Sequence, residues 1–334
     1  MEPYLPIIWA FLLATAIFLY VAMDGFDLGV GILFLAVPGD DDRDAMMNSV
    51  APIWDGNETW LVLGGTALIA AFPLAYAVIL PALYLPVLLM LIALIFRGVA
   101  FEFRFKARRS RPFWNWAFSL GSILATFAQG VVLGAFVQGF TVEDRQFAGG
   151  PLDWLTPFGL ATGLAMIAGY ALLGSTWLIM KTEGPLQSWA YRITPGLLIL
   201  VLGFMGLVSL WVPFLDTDIA ERWFAWPNLA YLSPVPVLTL LTAFALHRSV
   251  QALMEVMPFL LAMTLFVLGY AGLVISLWPN VIPPDISIWE AASPPETQAF
   301  LLVGLVVLVP LILAYTAWSY WIFRGKVSDA AGYH

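Results

Sequence analysis

The chain has no cysteine and only two histidines, His247 and His334. Cysteine and histidine are the main protein ligands of zinc and copper, and histidine is the commonest ligand of haem iron. Neither histidine lies in an apolar segment. We expect His247, beside Arg248 at a predicted helix end, to be solvated, and the terminal His334 to be disordered. The sequence therefore predicts no metal site and no haem ligated by this chain.

Charge and nucleotide motifs are also scarce. Only 11% of the 334 residues are charged, and the formal net charge of -8 counts against nucleic-acid binding. No G-x-x-x-x-G-K-[ST] sequence occurs, which excludes a P-loop transporter. A basic n-region is missing, since the chain opens with Glu2 and Pro3, so we expect no cleavable signal peptide.

What the chain has in abundance is apolar sequence, at 61% hydrophobic residues with 15 tryptophans. About 20 apolar residues are needed for a helix to cross a ~30 Å hydrocarbon core, and we count nine such stretches. The period-2 alternation of a transmembrane β-barrel is absent. We predict an all-α polytopic membrane protein, one integral-membrane domain over 1–334. The predicted helices are about 7–37, 50–72, 76–103, 113–138, 157–180, 191–214, 229–246, 256–278 and 299–323.

The basic residues indicate the topology, because cytoplasmic loops carry an excess of lysine and arginine. With nine spans, eleven of the 14 basic residues fall on one side and two on the other, while Arg97 lies within a span. We therefore predict an external N-terminus and a cytoplasmic C-terminus. The cytoplasmic set is Arg43, Arg104, Lys106, Arg108, Arg109, Arg111, Lys181, Arg192, Arg248, Arg324 and Lys326, and the external pair is Arg145 and Arg222.

Four carboxylates lie within the first two predicted spans, as the pairs Asp24–Asp27 and Asp55–Glu58. The three-residue spacing puts the members of each pair on one helix face. Ionisable residues inside a membrane are costly and mark either proton and ion paths or polar contacts between helices. For Asp24 and Asp27 we favour a structural polar contact over a proton relay. Arg97 is the candidate counter-charge for one of these acids, and we group Glu58 with the same buried polar residues.

A second charged set gathers at the predicted cytoplasmic boundary. Glu102 and Lys106 end the third span four residues apart on one face. Asp55 lies about a turn and a half inside the cytoplasmic start of the second span, between Trp54 and Trp60, where we expect it to be buried. This placement suits an inward-opening proton entrance, because desolvation lets carboxylates exchange protons nearer neutral pH. The alternative is that Glu102 and Lys106 form an interfacial ion pair and that Asp55 caps or packs a helix.

Six sequence blocks together carry a family resemblance. They are DGFDLGVG (24–31), APIWDGN (51–57), FRGVAFEFR (96–104), TPFGLATG (156–163), IWEAAS (288–293) and VPLILAYTAW (309–318). In this order they resemble subunit II of cytochrome bd-type quinol oxidases, and the likeness runs from residue 7 to about 326. The short external loops are similar to those of the cyanide-insensitive branch.

The resemblance implies nine helices arranged as two four-helix bundles plus a peripheral helix. It implies pairing with a subunit I that carries haem b, haem d and the quinol site, in the bacterial cytoplasmic membrane. Such a complex oxidises quinol, reduces dioxygen to water and takes its protons from the cytoplasm without pumping. By family likeness, Lys106, Glu102 and Asp55 match a proton path and Trp60 matches an oxygen path; no catalytic residue is expected in this chain.

Some questions stay open at the level of sequence. Cofactor-binding residues, the quinone type, a structural quinone, bound lipids and a small single-span partner are not determined. From the residues alone, a proton-coupled secondary transporter using the same acids is the leading alternative, although no paired helix breaks appear. A purely structural assembly subunit is the third hypothesis.

Overall fold

A computed structural model describes residues 2–327, which are mostly helical. Helices satisfy their own backbone hydrogen bonds, as an apolar membrane interior requires. The α-helices of this part are α1 (Leu5–Leu33), α2 (Asp40–Val50), α3 (Trp54–Ala71), α4 (Pro73–Lys106), α5 (Arg111–Gln138), α6 (Pro157–Lys181), α7 (Gly184–Trp211), α8 (Thr217–Phe224), α9 (Asn228–Leu232), α10 (Pro234–Gln251), α11 (Met257–Leu277), α12 (Ile288–Ala291) and α13 (Pro295–Ile322). Short 3₁₀ turns cover Glu2–Tyr4, Phe34–Ala36 and Val212–Phe214.

Eight helical segments between residues 2 and 327 are long and apolar enough to cross a membrane. They correspond to the first and to the third through ninth predicted spans, so the prediction of an all-α polytopic membrane protein is confirmed. The count of nine and the sidedness stay predictions. The largest shift in a boundary is in the sixth span, which was predicted over 191–214 and begins at Gly184.

The second predicted span, 50–72, corresponds to α3, which has 18 residues and is not among those eight segments. Its first turns are polar, with Asp55, Asn57 and Glu58. The sequence reasoning also missed α2, a separate charged helix before α3. Three aspartates occupy the first turn of α2, where the helix dipole favours negative charge.

The helices pack as two groups. One contains α1, α3, α4 and α5, and the other α6, α7, α10 and α11, with α1 and α5 of the first group packing against α6. Helix α13 is peripheral: it touches α1 and α3, and the apolar centre of this helix has no buried residue. The nine-span form of this arrangement, which the family resemblance implies, stays a prediction.

The contact between α1 and α6 depends on two glycines. A Cβ atom added to Gly29 would overlap the backbone carbonyl of Tyr170, and one added to Gly174 would overlap the backbone of Gly29. Small residues let two membrane helices approach closely enough for backbone contact. Gly29 therefore serves helix packing.

The segments 139–156 and 279–298 each contain a small β-hairpin. Strands β1 (Val142–Glu143) and β2 (Gln146–Phe147) pair antiparallel in the first, and β3 (Asn280–Ile282) and β4 (Ile286–Ser287) in the second. The backbone N–H of Ser293 donates to the carbonyl of Ala71, which fastens the second loop to the end of α3.

At the other end of the molecule, the segment after α13 is tied to the second group of helices. The Lys181 ammonium at the end of α6 donates to the carbonyls of Phe323 and Gly325, at 2.5 and 2.6 Å. The Lys326 ammonium lies 2.6 Å from Glu255, in the loop between α10 and α11. These contacts hold the end of a helix that is otherwise weakly packed.

Candidate functional site

The centre of the polar interior is Arg97, whose side chain is fully buried on α4. Its Nη1 donates to Asp24 Oδ1 at 2.9 Å and to Glu58 Oε1 at 2.7 Å. Its Nη2 lies 4.0 Å from Asp27 Oδ2. We call these four residues the Arg97 cluster. The i,i+3 spacing on α1 places both aspartates toward α4, while α3 contributes Glu58, which shares the Nη1 atom of Arg97 with Asp24.

One arm of hydrogen bonds extends from the Arg97 cluster to α13. The Asn57 side-chain amide donates to Asp27 Oδ2 at 2.6 Å and to the Met23 carbonyl at 3.3 Å. The Asn57 side-chain oxygen accepts a hydrogen bond of 2.9 Å from the Tyr320 hydroxyl. Asn57 thus couples the buried aspartate to a helix on the periphery.

A second arm extends toward α5 and α6. The Gln129 amide donates to the Tyr20 hydroxyl at 2.7 Å, and the Gln129 side-chain oxygen accepts from the Tyr170 hydroxyl at 2.9 Å. Tyr20 neighbours Asp24 of the cluster. Buried polar groups are usually hydrogen-bonded. Gln129 provides an acceptor for the Tyr170 hydroxyl and a donor for the Tyr20 hydroxyl.

The predicted proton-path residues lie apart from this cluster. Lys106 Nζ is 3.3 Å from Glu102 Oε2, and their side chains are 72% and 50% exposed. Asp55 was expected to be buried between Trp54 and Trp60, and that expectation is wrong for the chain alone. Successive helical residues point in different directions, so Trp60 is buried while Asp55 is exposed.

Among the described residues, no hydrogen bond or ion pair joins the Asp55 carboxylate to Glu102 or Lys106. Asp55 instead lines a polar cleft of about 110 Å³ between α3 and α13. Asn57 and Tyr320 line the same cleft. The cleft therefore brings Asp55 close to the hydrogen-bond arm that ends at Asp27.

Trp60, the predicted oxygen-path residue, is 2% exposed and faces α1 and α13. It lines an apolar cavity of about 40 Å³ together with Ala16, Leu63, Leu305 and Val309. Apolar cavities of this kind stay dry and accept apolar guests.

A further buried cation was missed by sequence reasoning. Arg104 was counted as a loop charge, yet its side chain is buried. Its Nε donates to Asn115 Oδ1 at 2.6 Å and its Nη1 donates to Asp44. Arg111 Nη2 also donates to Asp44, at 2.6 and 2.7 Å. These bonds fix α2 against α4 and α5.

Within residues 2–327, no group of three or more histidine, cysteine, aspartate or glutamate side chains could hold a metal ion. His247 lies half-buried near the end of α10, with its Nε2 2.9 Å from the Gln251 side-chain nitrogen. His334 lies outside the described residues. His247 is thus the only histidine among the described residues, and it lies at a helix end.

The fold and the buried cluster define an integral membrane protein built from two packed helix groups around charged side chains. Residues 5–323 match the family described as cytochrome bd terminal oxidase subunit II. The chain belongs to this family.

Individual relatives agree with this assignment. The chain is 31% identical to the cytochrome bd-I ubiquinol oxidase subunit 2 of Escherichia coli strain K12, covering 96% of this chain and 94% of that protein. It is 26% identical to the cytochrome bd ubiquinol oxidase subunit 2 of Bacillus subtilis strain 168, covering 96% of each. The fold is similar to a chain of the bd oxidase from Geobacillus thermodenitrificans, with a TM-score of 0.73 at 16% identity over 96% of this chain and 98% of that one.

Proposed function

We propose that this chain is the non-haem subunit of a complex that oxidises quinol and reduces dioxygen to water in a bacterial cytoplasmic membrane. A haem-bearing subunit I would carry haem b, haem d and the quinol site. The family match over residues 5–323 carries the proposal. It also favours this function over the proton-coupled transporter, because membership covers almost the entire chain.

The partner is proposed to dock on the exposed face of α3. Asp55, Thr59, Val62 and Thr66 are exposed there at spacings of four, three and four residues. That spacing is typical of a helix–helix seam, and polar side chains on the outside of a membrane helix fit a protein neighbour better than lipid. A small single-span subunit, bound lipid and a structural quinone are further candidates for partners of the complex.

Lys106, Glu102 and Asp55 are proposed to form a path for protons from the cytoplasm. The exposed Glu102–Lys106 pair at the end of α4 is accessible to water, and the Lys106 ammonium lies 3.3 Å from the Glu102 carboxylate. Asp55, in the polar cleft, would pass protons along the α3 face to subunit I. Two acids and an ammonium at the predicted cytoplasmic boundary support this role.

Trp60 is proposed to line the route of dioxygen. The support is the apolar cavity against its ring, since dioxygen is a small apolar molecule that partitions into dry cavities. Trp60→Ala is expected to change the apparent affinity for dioxygen more than the maximal turnover.

The experiment that tests the proposed function is co-purification of the tagged chain from its own membranes, followed by a reduced-minus-oxidised visible spectrum. We expect bands of haem b and haem d from a partner subunit that co-purifies. A colourless polypeptide that is stable alone would contradict the proposal.

A further inference from the structure

The Arg97 cluster does not balance its charges. It contains three carboxyl groups, Asp24, Asp27 and Glu58, and one guanidinium. In the part of the chain that the structure describes, no second cation forms an ion pair with any of these carboxyls. If all three were ionised, the cluster would carry a net charge of -2.

That charge would lie in a dry environment. The Arg97 and Asp27 side chains are 0% exposed and the Asp24 side chain is 1% exposed. The rings of Trp54 and Phe101 lie 5.9 and 5.8 Å from the guanidinium and keep water from that side. Burying ions is costly unless each has a partner, and groups in such a position neutralise instead.

The hydrogen bonds divide the carboxyls unequally. Asp24 and Glu58 share the same Nη1 atom, whereas Asp27 is 4.0 Å from the guanidinium and is bonded by the neutral amide of Asn57. Asp24 Oδ2, Asp27 Oδ1, Arg97 Nε and Arg97 Nη2 have no partner within the described residues. Each aspartate thus keeps an oxygen on which a proton can reside. The Tyr20 hydroxyl lies next to Asp24, so Asp27 is the least compensated of the three carboxyls.

We propose that the Arg97 cluster is a proton-holding site, in which at least one carboxyl group is protonated at neutral pH, and that Glu58 is the group through which it exchanges. Proton uptake converts a carboxylate to a carboxylic acid and lowers the net negative charge by one. Glu58 is the exchanging group because its side chain is 24% exposed, while those of Asp24 and Asp27 are closed off.

The neighbours of the cluster are consistent with this role. The ionisable groups that face it are the following, by helix: Tyr20 from α1, Asp55 from α3, Tyr170 from α6 and Tyr320 from α13. None of these four adds a positive charge. Asp55 lies one turn before Glu58 on α3 and lines the polar cleft next to α13.

Proton storage in the cluster does not depend on the proposed oxidase function. Only the destination of the exchanged proton, the docked subunit I, rests on that function. If the oxidase proposal is wrong, the visible spectrum will lack the haem bands. If the proton-holding proposal is wrong, Asp24, Asp27 and Glu58 will all be ionised.

The test is infrared spectroscopy of the purified complex at neutral pH, comparing the unmodified protein with Asp24→Asn, Asp27→Asn and Glu58→Gln in turn. A protonated carboxyl has a C=O stretching band at higher frequency than a carboxylate, and this band shifts in D₂O. We expect at least one variant, Asp27→Asn first, to lose such a band. Glu221→Gln, on an exposed external residue, is the matched control and should lose carboxylate absorption only.

If every cluster variant loses only carboxylate absorption, all three acids are ionised and the proposal is overturned. A variant that does not assemble is replaced by a pH titration of the unmodified complex. There the protonated band should convert to carboxylate as the pH rises. The role of Glu58 is tested separately by a rapid pH jump on the assembled Glu58→Gln complex, in which the conversion should be slower by at least about tenfold if Glu58 is the route. A Glu58→Gln complex that converts at the original rate would remove Glu58 from the proposal.

Discussion

The Tyr320 hydroxyl lies 2.9 Å from the side-chain oxygen of Asn57, and the amide of the same Asn57 lies 2.6 Å from Asp27. The peripheral helix α13, whose surface is apolar, thus completes a hydrogen-bond chain that ends beside Arg97. This contact gives α13 a specific position over α1 and α3, which its sparse packing alone would not.

Tyr320→Phe should weaken the attachment of α13 to α3. The change removes one hydrogen bond and leaves the Asn57 oxygen with one donor fewer, at a cost of about 1 kcal/mol. We expect a lower midpoint of thermal unfolding for the purified complex. Tyr315→Phe is the control, because Tyr315 is 67% exposed and makes no hydrogen bond within the described residues. Equal midpoints for the two variants would mean that the Tyr320–Asn57 contact does not stabilise the protein.

Arg97→Leu should be far more damaging. It leaves three carboxyls without a counter-charge in the core, and removing one partner of a buried ion pair typically costs about 3–5 kcal/mol. We expect a severe loss of folded protein in the membrane, measured as detergent-soluble monodisperse complex. Arg192→Leu is the control, since Arg192 is an exposed arginine on α7.

Adding Asp24→Asn to Arg97→Leu should recover part of the yield, because the carboxylate that accepts a hydrogen bond from Arg97 is removed together with the base. If Arg97→Leu alone accumulated like the control, the guanidinium would not be what stabilises the buried acids.

The comparison of Arg97 with Asn57 shows what sequence can predict about this site. An arginine and two aspartates in apolar spans must be compensated, so their pairing follows from composition and spacing. The Asn57–Tyr320 bond joins residues 263 positions apart, and nothing local specifies it. Asp55 is a similar case. Its position on α3 determines which residues of that helix lie beside it, but not whether that face of α3 points to the interior or to the surface.

Arg104 shows a second reason why prediction was incomplete. Basic residues after a span indicate the cytoplasmic side, and the topology rule treats them all as loop charges. In the structure α4 continues to Lys106, so Arg104 stays inside the helix and pairs with Asp44 of α2. The helix α2 was itself missed, because its polar sequence resembles a loop when only apolar segments are sought.

Gly29→Ala tests the close contact of α1 with α6. The new methyl group would overlap the Tyr170 carbonyl, so the helices must separate and lose packing around the cluster. Overpacking of this kind costs about 1–3 kcal/mol. Gly203→Ala on α7 is the matched control, because no atom lies within 4 Å of its added Cβ. We expect a lowered thermal midpoint for the first variant and an unchanged one for the second; the reverse order would refute the packing role.

The stabilisation from the Lys326–Glu255 ion pair should depend on pH. The hydrogen bond from Lys326 lowers the pKa of the exposed Glu255 carboxyl below its ordinary value. A lowered pKa in the folded state means that the stabilisation is present above the ordinary pKa of about 4.3 and is lost as the pH falls through the lowered value.

Lys326→Ala should therefore reduce the thermal midpoint slightly at neutral pH and hardly at all below the lowered pKa. High salt should shrink the difference between Lys326→Ala and the unmodified protein, since Glu255 is exposed and Lys326 is only partly buried. A difference that persisted in acid would show that the segment after α13 is held by other contacts.

Asp55→Asn separates proton supply from assembly. An asparagine keeps the size and polarity of the exposed side chain but cannot carry a proton, so quinol oxidase turnover should slow by on the order of tenfold, about 1.4 kcal/mol on the barrier. The haem spectrum of the complex should stay unchanged, because Asp55 makes no contact that the described fold requires. Asp55→Glu restores a carboxyl at the same position and should recover most of the turnover, whereas loss of the haem bands in Asp55→Asn would assign Asp55 to docking of subunit I instead of proton transfer.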